Sequence, residues 1–199
     1  MTTPGVKRVR SFIAIPVPSA VIRALDDAMR SLDSEIGENV RWVRIEGIHL
    51  TLKFMGDIEA GMVDRVLETL PVVASQFPPF KLSISGLGVF PNPRRPRVLW
   101  SGVDGEMETL EALHLAIDDA LWELDLPKEQ RAFSPHLTLG RVRRDVPEER
   151  LRRIGQVMEG GELSGVPSWT ADAVNLMRTE LDPAGSRHYL VGSASICGS

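Results

Sequence analysis

The sequence predicts an α+β fold built from antiparallel sheets. Short apolar segments of strand character are interspersed with four helical segments, and short hairpin-like turns join the strands. A tetrapeptide, His-Leu-Thr-Leu, occurs twice, which indicates an internal duplication and two related lobes. The composition, 43% hydrophobic and 25% charged over 199 residues, is that of a globular chain with its own core. We therefore expect one bilobal domain spanning residues 1–199.

The first half of the chain alternates strands with amphipathic helices. Ser11–Val17 is predicted to be a strand because it is short, rich in Ile, Val and Phe, and close to prolines. Ser19–Ile36 is predicted to be a helix with Ser19 as its N-cap, since apolar residues recur at three- and four-residue steps. The remaining elements predicted in this half are the strands Val40–Ile45 and Ile48–Met55 and the helix Glu59–Gln76. Pro71 is expected to kink or end this helix.

The second half repeats this mixture of elements. The loop Phe90–Pro96 contains three prolines, which exclude a central strand there. Around it, strands are predicted at Phe80–Leu87, Arg97–Val103, His136–Arg143, Thr170–Leu181 and Arg187–Ala194, and helices at Glu106–Leu124 and Glu148–Met158.

The repeated tetrapeptide is the strongest functional signal. Its copies, His49–Leu52 and His136–Leu139, lie 136 − 49 = 87 residues apart and use two of only four histidines. Side chains alternate along a strand, so His and Thr of each copy share one face while both leucines share the other. A pseudo-twofold arrangement of the lobes would bring the two imidazoles to a shared cleft. By the same alternation Phe54 falls on the leucine face and is predicted to lie in the core.

Two histidines without a nucleophile suit acid–base catalysis. An unperturbed imidazole has a pKa of about 6.5, so one ring can accept a proton while the other donates one. A phosphodiester fits this pair because attack and departure occur in line on opposite sides of phosphorus. Thr51 and Thr138 lie next to the histidines on the same faces and can donate to the non-bridging oxygens. Zinc, which usually takes three or four ligands, would leave its set incomplete, and no G-x-S-x-G motif indicates a serine triad.

Net charge, hydropathy and cysteine content limit the binding partners and the cellular location of the protein. The net charge of −4 argues against an extended electrostatic grip on duplex nucleic acid. No run of 18 apolar residues predicts a membrane-spanning helix. Cys197 is the only cysteine, which excludes an internal disulfide and favours a reducing, cytoplasmic location.

With these residues in view, the sequence resembles the two-histidine phosphoesterase superfamily, which is defined by paired His-x-Thr-x motifs. Within it the chain is most similar to the RNA 2′,3′-cyclic phosphodiesterase branch, also called LigT or 2′-5′ RNA ligase. The likeness covers nearly the whole chain. It is carried by the segments Arg10–Pro16, Ile48–Gly56, Pro91–Trp100 and Pro135–Arg141.

The resemblance implies two antiparallel sheets that face each other across a central groove, with helices packed outside. It implies hydrolysis of a terminal 2′,3′-cyclic phosphate to a 2′-phosphate without metal or cofactor, with His49 as proton donor and His136 as proton acceptor. RNA ends or small cyclic nucleotides would be the substrates, and reversible 2′-5′ ligation would use the same bond. It also implies phosphate binding by Arg141, although regular strand alternation puts Arg141 on the leucine face unless a twist, a bulge beside Gly140 or the end of the strand redirects it.

Two other functions remain open from the sequence. One is a binding module that senses nucleotides or RNA ends; the other is a phosphodiesterase for 2′-5′ oligoadenylate or ADP-ribose cyclic phosphate. No obligate protein partner is indicated. The softer features, which lie outside any motif, have structural interpretations. We expect solvated surface charge for Arg94, Arg95, Arg97, Arg143 and Arg144, core packing for Phe12 and Trp42, and structural or exposed positions for His114 and His188.

Overall fold

A computed structural model describes residues 8–161, 163, 165–182 and 185–198, and the α+β class is confirmed. Within these residues the strands are β1 (Arg8–Pro16), β2 (Val40–Trp42), β3 (His49–Glu59), β4 (Phe80–Phe90), β5 (Val98–Gly105), β6 (His136–Val142), β7 (Trp169–Ala171), β8 (Ala173–Asp182) and β9 (Gly185–Ser195). The helices are α1 (Ser19–Ile36), α2 (Ala60–Ala74), α3 (Met107–Trp122) and α4 (Glu148–Gly160). None of the helices in this part of the chain is long and apolar enough to span a bilayer.

The predicted elements are present, with local differences. Helix α1 has the predicted bounds, but Pro18 occupies the N-cap position and no side chain caps the helix. Helix α2 continues past Pro71 to Ala74. The strand predicted over Thr170–Leu181 is divided at Asp172 into β7 and β8, because β7 pairs with β4 while β8 pairs with β1 and β9.

The strands form one curled antiparallel sheet in the order β7-β4-β5-β6-β3-β1-β8-β9, with β2 paired to β6. The two sheets expected from the resemblance are its two halves. They meet where β3 and β6 pair through Leu50 and Leu137 alone. The two tetrapeptides therefore lie at the junction of the halves.

The leucines of both tetrapeptides face the main core, as predicted. Leu50 and Leu137 have no exposed surface, and they share one apolar cluster with the buried faces of α1, α2 and α3, such as Leu25, Val66 and Leu110. The helices thus cover one face of the sheet. The opposite face carries the histidines and threonines.

A buried ion pair connects the strand of the first tetrapeptide to the loop that precedes the second. Lys53 of β3 and Asp118 of α3 are 3% and 6% exposed and form a salt bridge. The Lys53 ammonium also donates to the Pro127 carbonyl (2.7 Å), and Asp118 accepts the Glu129 backbone N–H (3.1 Å). Burial alone would raise the pKa of Asp118, but the hydrogen bonds and charge of Lys53 hold it below its usual value.

His114 strengthens the same connection and is structural, as the sequence suggested. Its ring is buried, hydrogen-bonds to the Leu52 carbonyl through Nδ1 at 2.9 Å, and stacks on Phe133 with a centroid separation of 4.0 Å. The loop leading into His136 is therefore held against the strand that carries His49.

We predict that Lys53→Met lowers the free energy of unfolding by about 3–5 kcal/mol, because it leaves the Asp118 carboxylate buried and uncompensated. Urea denaturation measures the change. The matched control is Lys128→Met, which removes the exposed Lys128–Asp119 pair and should leave the free energy of unfolding nearly unchanged, because solvent screens an exposed pair. Equal effects of the two substitutions would contradict the role of the buried pair.

Candidate active site

One cavity on the open face of the sheet brings together all five candidate residues. It has a volume of about 390 Å³, and its lining includes His49, Thr51, His136, Thr138 and Arg141. A cavity of this size is at the lower end of the range for small-molecule sites. Residues from both halves of the sheet thus face a common space.

The pairing of Leu50 with Leu137 explains this convergence. The pairing is antiparallel, so extending it by one residue puts His49 opposite Thr138 and Thr51 opposite His136. All four side chains then lie on the same face, and the two histidines occupy diagonal positions, about 7–8 Å apart in a regular sheet. The two copies are related by a local twofold axis between the leucines.

Each tetrapeptide ends in a β-bulge at its second leucine. In β3, Thr51 and Lys53 pair with two consecutive residues of β1, so Leu52 between them has no partner in β1. In β6, Thr138 and Gly140 likewise pair with two consecutive residues of β5, so Leu139 between them has no partner in β5. A bulge reverses the alternation of side chains beyond it.

Because of these bulges, the fifth residue after each histidine turns toward the cleft. Arg141 is exposed and lines the cavity, and a bulge beside Gly140, one of the three alternatives considered, is present at Leu139. The prediction that Phe54 lies in the core is wrong: its side chain is 64% exposed and also lines the cavity. The duplicated lobes therefore place a cation at one of these equivalent positions and an aromatic ring at the other.

Gly140 is required where β2 packs against the second bulge. A Cβ atom there would lie 2.8 Å from Val40 Cγ1 and 3.0 Å from Trp42 Cε3. Trp42 is itself fixed by a hydrogen bond of 2.6 Å from its indole N–H to Asp33. A side chain at position 140 would push β2 away from β6 and disturb Arg141.

The two imidazoles are held in the same way. His49 Nδ1 lies 2.7 Å from the Gly47 carbonyl, and His136 Nδ1 lies 2.7 Å from the Ser134 carbonyl, two residues earlier in each case. A carbonyl oxygen only accepts, so Nδ1 of each ring carries a hydrogen and donates it. Nε2 is consequently the atom of each ring that can exchange a proton in the cleft.

Different surroundings distinguish the two rings. His49 stacks on Phe12 with a centroid separation of 4.5 Å, and His136 meets the ring of Phe90 edge-on at 5.0 Å. Burial, the like charge of His188 and, to a smaller extent, that of His136 lower the pKa of His49 to about 4, against the opposing hydrogen bond to Gly47. His49 is therefore neutral in the free protein at pH 7.

His188 is a cleft residue that the sequence analysis missed. Its ring meets His49 edge-on at 5.2 Å and Phe12 at 5.0 Å, its Nδ1 shares a hydrogen bond of 3.0 Å with the Thr179 hydroxyl, and burial lowers its pKa. Thr179 and His188 are register partners in the β8–β9 hairpin. No sequence motif marks them, because their approach to His49 depends on the distant pairing of β8 with β1.

Most of the softer sequence features lie outside the cavity lining. Arg95 forms an exposed ion pair with Glu148 at 3.7 Å, and Arg94, Arg97, Arg143 and Arg144 are exposed on the surface. Phe12 is buried, as predicted. In the described ranges no three or more His, Cys, Asp or Glu side chains are grouped as they would be around a metal ion.

Comparisons with known proteins identify related sequences. A family model described as LigT-like phosphoesterase matches residues 15–100. The chain is 33% identical over 181 residues to the RNA 2′,3′-cyclic phosphodiesterase of Methanothermobacter thermautotrophicus, covering 89% of this chain and 94% of that protein. It is 37% identical over 139 residues to the protein of the same name from Archaeoglobus fulgidus, covering 70% and 76% of the two chains.

Solved structures share the fold. A crystal structure of a Thermus thermophilus protein superposes with a TM-score of 0.78 at 24% identity, covering 95% of this chain and 98% of that chain. The crystal structure of E. coli LigT complexed with 3′-AMP superposes with a TM-score of 0.71 at 20% identity, covering 96% and 99%.

The lowered pKa of His49 predicts a pH-dependent stability. The unfolded chain takes up a proton at His49 near pH 6.5, and the folded chain only near pH 4, so the folded state loses stability as pH falls through this window. We expect His49→Gln to remove this dependence, reducing the stability lost between pH 7 and pH 4 by roughly 3 kcal/mol at most. Urea denaturation at several pH values measures the free energy of unfolding. Parallel plots of this free energy against pH for wild type and variant would contradict the prediction.

Proposed function

The chain belongs to the LigT-like phosphoesterase family, and from that premise we propose that it is an RNA 2′,3′-cyclic phosphodiesterase. It opens the terminal cyclic phosphate of RNA, or of a small cyclic nucleotide, and leaves a 2′-phosphate. The single observation that carries the proposal is the pair of imidazoles with Nε2 available, facing one cavity from the two halves of the sheet.

In the proposed reaction His136 acts first as a base. Its Nε2 accepts a proton from water while the water oxygen attacks phosphorus. The bond between phosphorus and O3′ breaks on the opposite side. His49 Nε2–H donates the proton that the departing O3′ requires, so one proton is taken up and one is released.

Thr51 and Thr138 support the reacting phosphate. Each threonine lies two residues after its histidine on the same face of the sheet, and both line the cavity. Their hydroxyls donate to the non-bridging oxygens, where negative charge accumulates as the new bond forms. Arg141, on the same strand as His136, contributes positive charge that attracts the phosphates of the substrate to the cavity.

The role of His49 as donor requires that it be protonated when substrate is bound. In the free protein burial and the neighbouring histidines lower its pKa to about 4. A phosphate anion held between the rings acts in the opposite direction and favours the imidazolium. Substrate binding is thus coupled to proton uptake at His49.

The proposed function is tested with a nucleoside 2′,3′-cyclic phosphate and EDTA-treated protein. We expect hydrolysis to persist and to yield the 2′-monophosphate. Binding without turnover would instead favour the sensor function. Efficient hydrolysis only of 2′-5′ oligoadenylate or ADP-ribose cyclic phosphate would favour the alternative substrates.

We predict that His49→Ala and His136→Ala each reduce kcat by about 10²–10⁴, since each removes a general acid or base. The double variant should lose little more than either single one, because the residues act as a unit. The pH–rate profile assigns the roles: His49→Ala should abolish the fall in kcat at high pH, and His136→Ala the fall at low pH. Substantial activity in both single variants would contradict the mechanism.

A further inference from the structure

The cleft carries more positive charge than a single cyclic phosphate requires. The chain as a whole has a net charge of −4, yet Arg10, Arg41, Arg44 and Arg141 all line the cavity, and no aspartate or glutamate is among its described lining residues. A terminal 2′,3′-cyclic phosphate is a monoanion. Such local segregation of charge in an acidic protein indicates a ligand with additional negative groups.

Two of these arginines are held side by side by the sheet. Strand β2 pairs antiparallel with β6, and Arg41 is the register partner of Arg141. Both side chains are exposed, and neither has a carboxylate within salt-bridge distance in the part of the chain that the structure describes. Like charges directly opposite each other destabilise a sheet. A bound anion between them would relieve this repulsion.

The backbone positions of this pair are offset along the sheet from the second tetrapeptide. Arg141 lies three residues beyond Thr138 along β6, on the order of 10 Å at about 3.3 Å per residue. At that point β2 replaces β3 as the neighbour of β6. The two arginines therefore line the same cleft as the histidines, from backbone positions farther along the sheet.

The chemistry of the substrate identifies what can lie there. A 2′,3′-cyclic phosphate occupies both the 2′ and 3′ oxygens of the terminal nucleotide. The RNA chain can continue only through the 5′ oxygen, so the nearest second phosphate is the one on that atom. Paired guanidinium groups match phosphate oxygens in both charge and hydrogen-bond geometry.

We propose that Arg41, together with Arg141, binds the phosphodiester on the 5′ side of the terminal nucleotide, and that the preferred substrate is an RNA end of at least two nucleotides. This inference rests on the proposed function and refines it. Arg41 is then a substrate-binding residue, and the Arg41–Arg141 pair distinguishes an RNA end from a lone nucleoside cyclic phosphate.

The test compares kcat/KM for three substrates: uridine 2′,3′-cyclic phosphate, the same compound with a 5′-phosphate, and a uridine dinucleotide ending in 2′,3′-cyclic phosphate. We expect wild-type protein to prefer the dinucleotide over the unphosphorylated mononucleotide by at least about tenfold. Arg41→Ala should reduce this preference by about tenfold. It should also weaken the salt dependence for the dinucleotide. The negative slope of log(kcat/KM) against log[salt] should become less steep by about 0.7, the value for one phosphate contact on a single strand.

The matched control is Arg152→Ala, which removes the same charge from the exposed face of α4 and should leave both the preference and the salt slope unchanged. Preference for the 5′-phosphorylated mononucleotide as well as the dinucleotide would support recognition of the 5′ phosphate by the arginine pair and overturn the requirement for a second nucleotide. An Arg41→Ala variant that slows all three substrates equally, or a wild type without preference, would overturn the inference. Failure of wild-type protein to hydrolyse any of the three would instead count against the proposed function.

Discussion

The site depends on one contact between the two halves of the sheet, the antiparallel pairing of Leu50 with Leu137. Both leucines are fully buried in the main core, so the packing that stabilises the fold also fixes the relation between the two histidine strands. A shift of one residue in either strand would turn its histidine into the core and its leucine into the cleft. The hydrophobic cost of that exchange keeps the two histidines aligned.

Local symmetry prepares the two histidines equally, and their surroundings then make them different. Each ring donates from Nδ1 to a carbonyl two residues earlier, which leaves Nε2 for proton transfer. His49 lies against Phe12 and His188, whereas His136 lies near Phe90 and Trp100. The same duplication places Phe54 and Arg141 at equivalent positions. A symmetric scaffold thus presents an asymmetric cleft, as an RNA end with a direction requires.

Sequence patterns predicted what depends on local periodicity. The helix bounds of α1, the leucine face of each tetrapeptide and the convergence of His49 and His136 followed from spacing alone. Phe54 was misplaced because simple alternation ignores the bulge at Leu52, whose effect depends on pairing with β1. Arg41 and His188 were missed because their positions in the cleft come from pairings between distant segments, which no local motif records.

A crystal structure with a bound nucleoside 2′-monophosphate would show whether both imidazoles act on one phosphate group. We expect Nε2 of His136 to lie about 2.6–3.2 Å from a phosphate oxygen, and Nε2 of His49 to lie at the same distance from O3′, the oxygen released from phosphorus. A complex in which only one of the two rings contacts the phosphate or O3′, or in which the nucleotide binds elsewhere in the cleft, would contradict this mechanism.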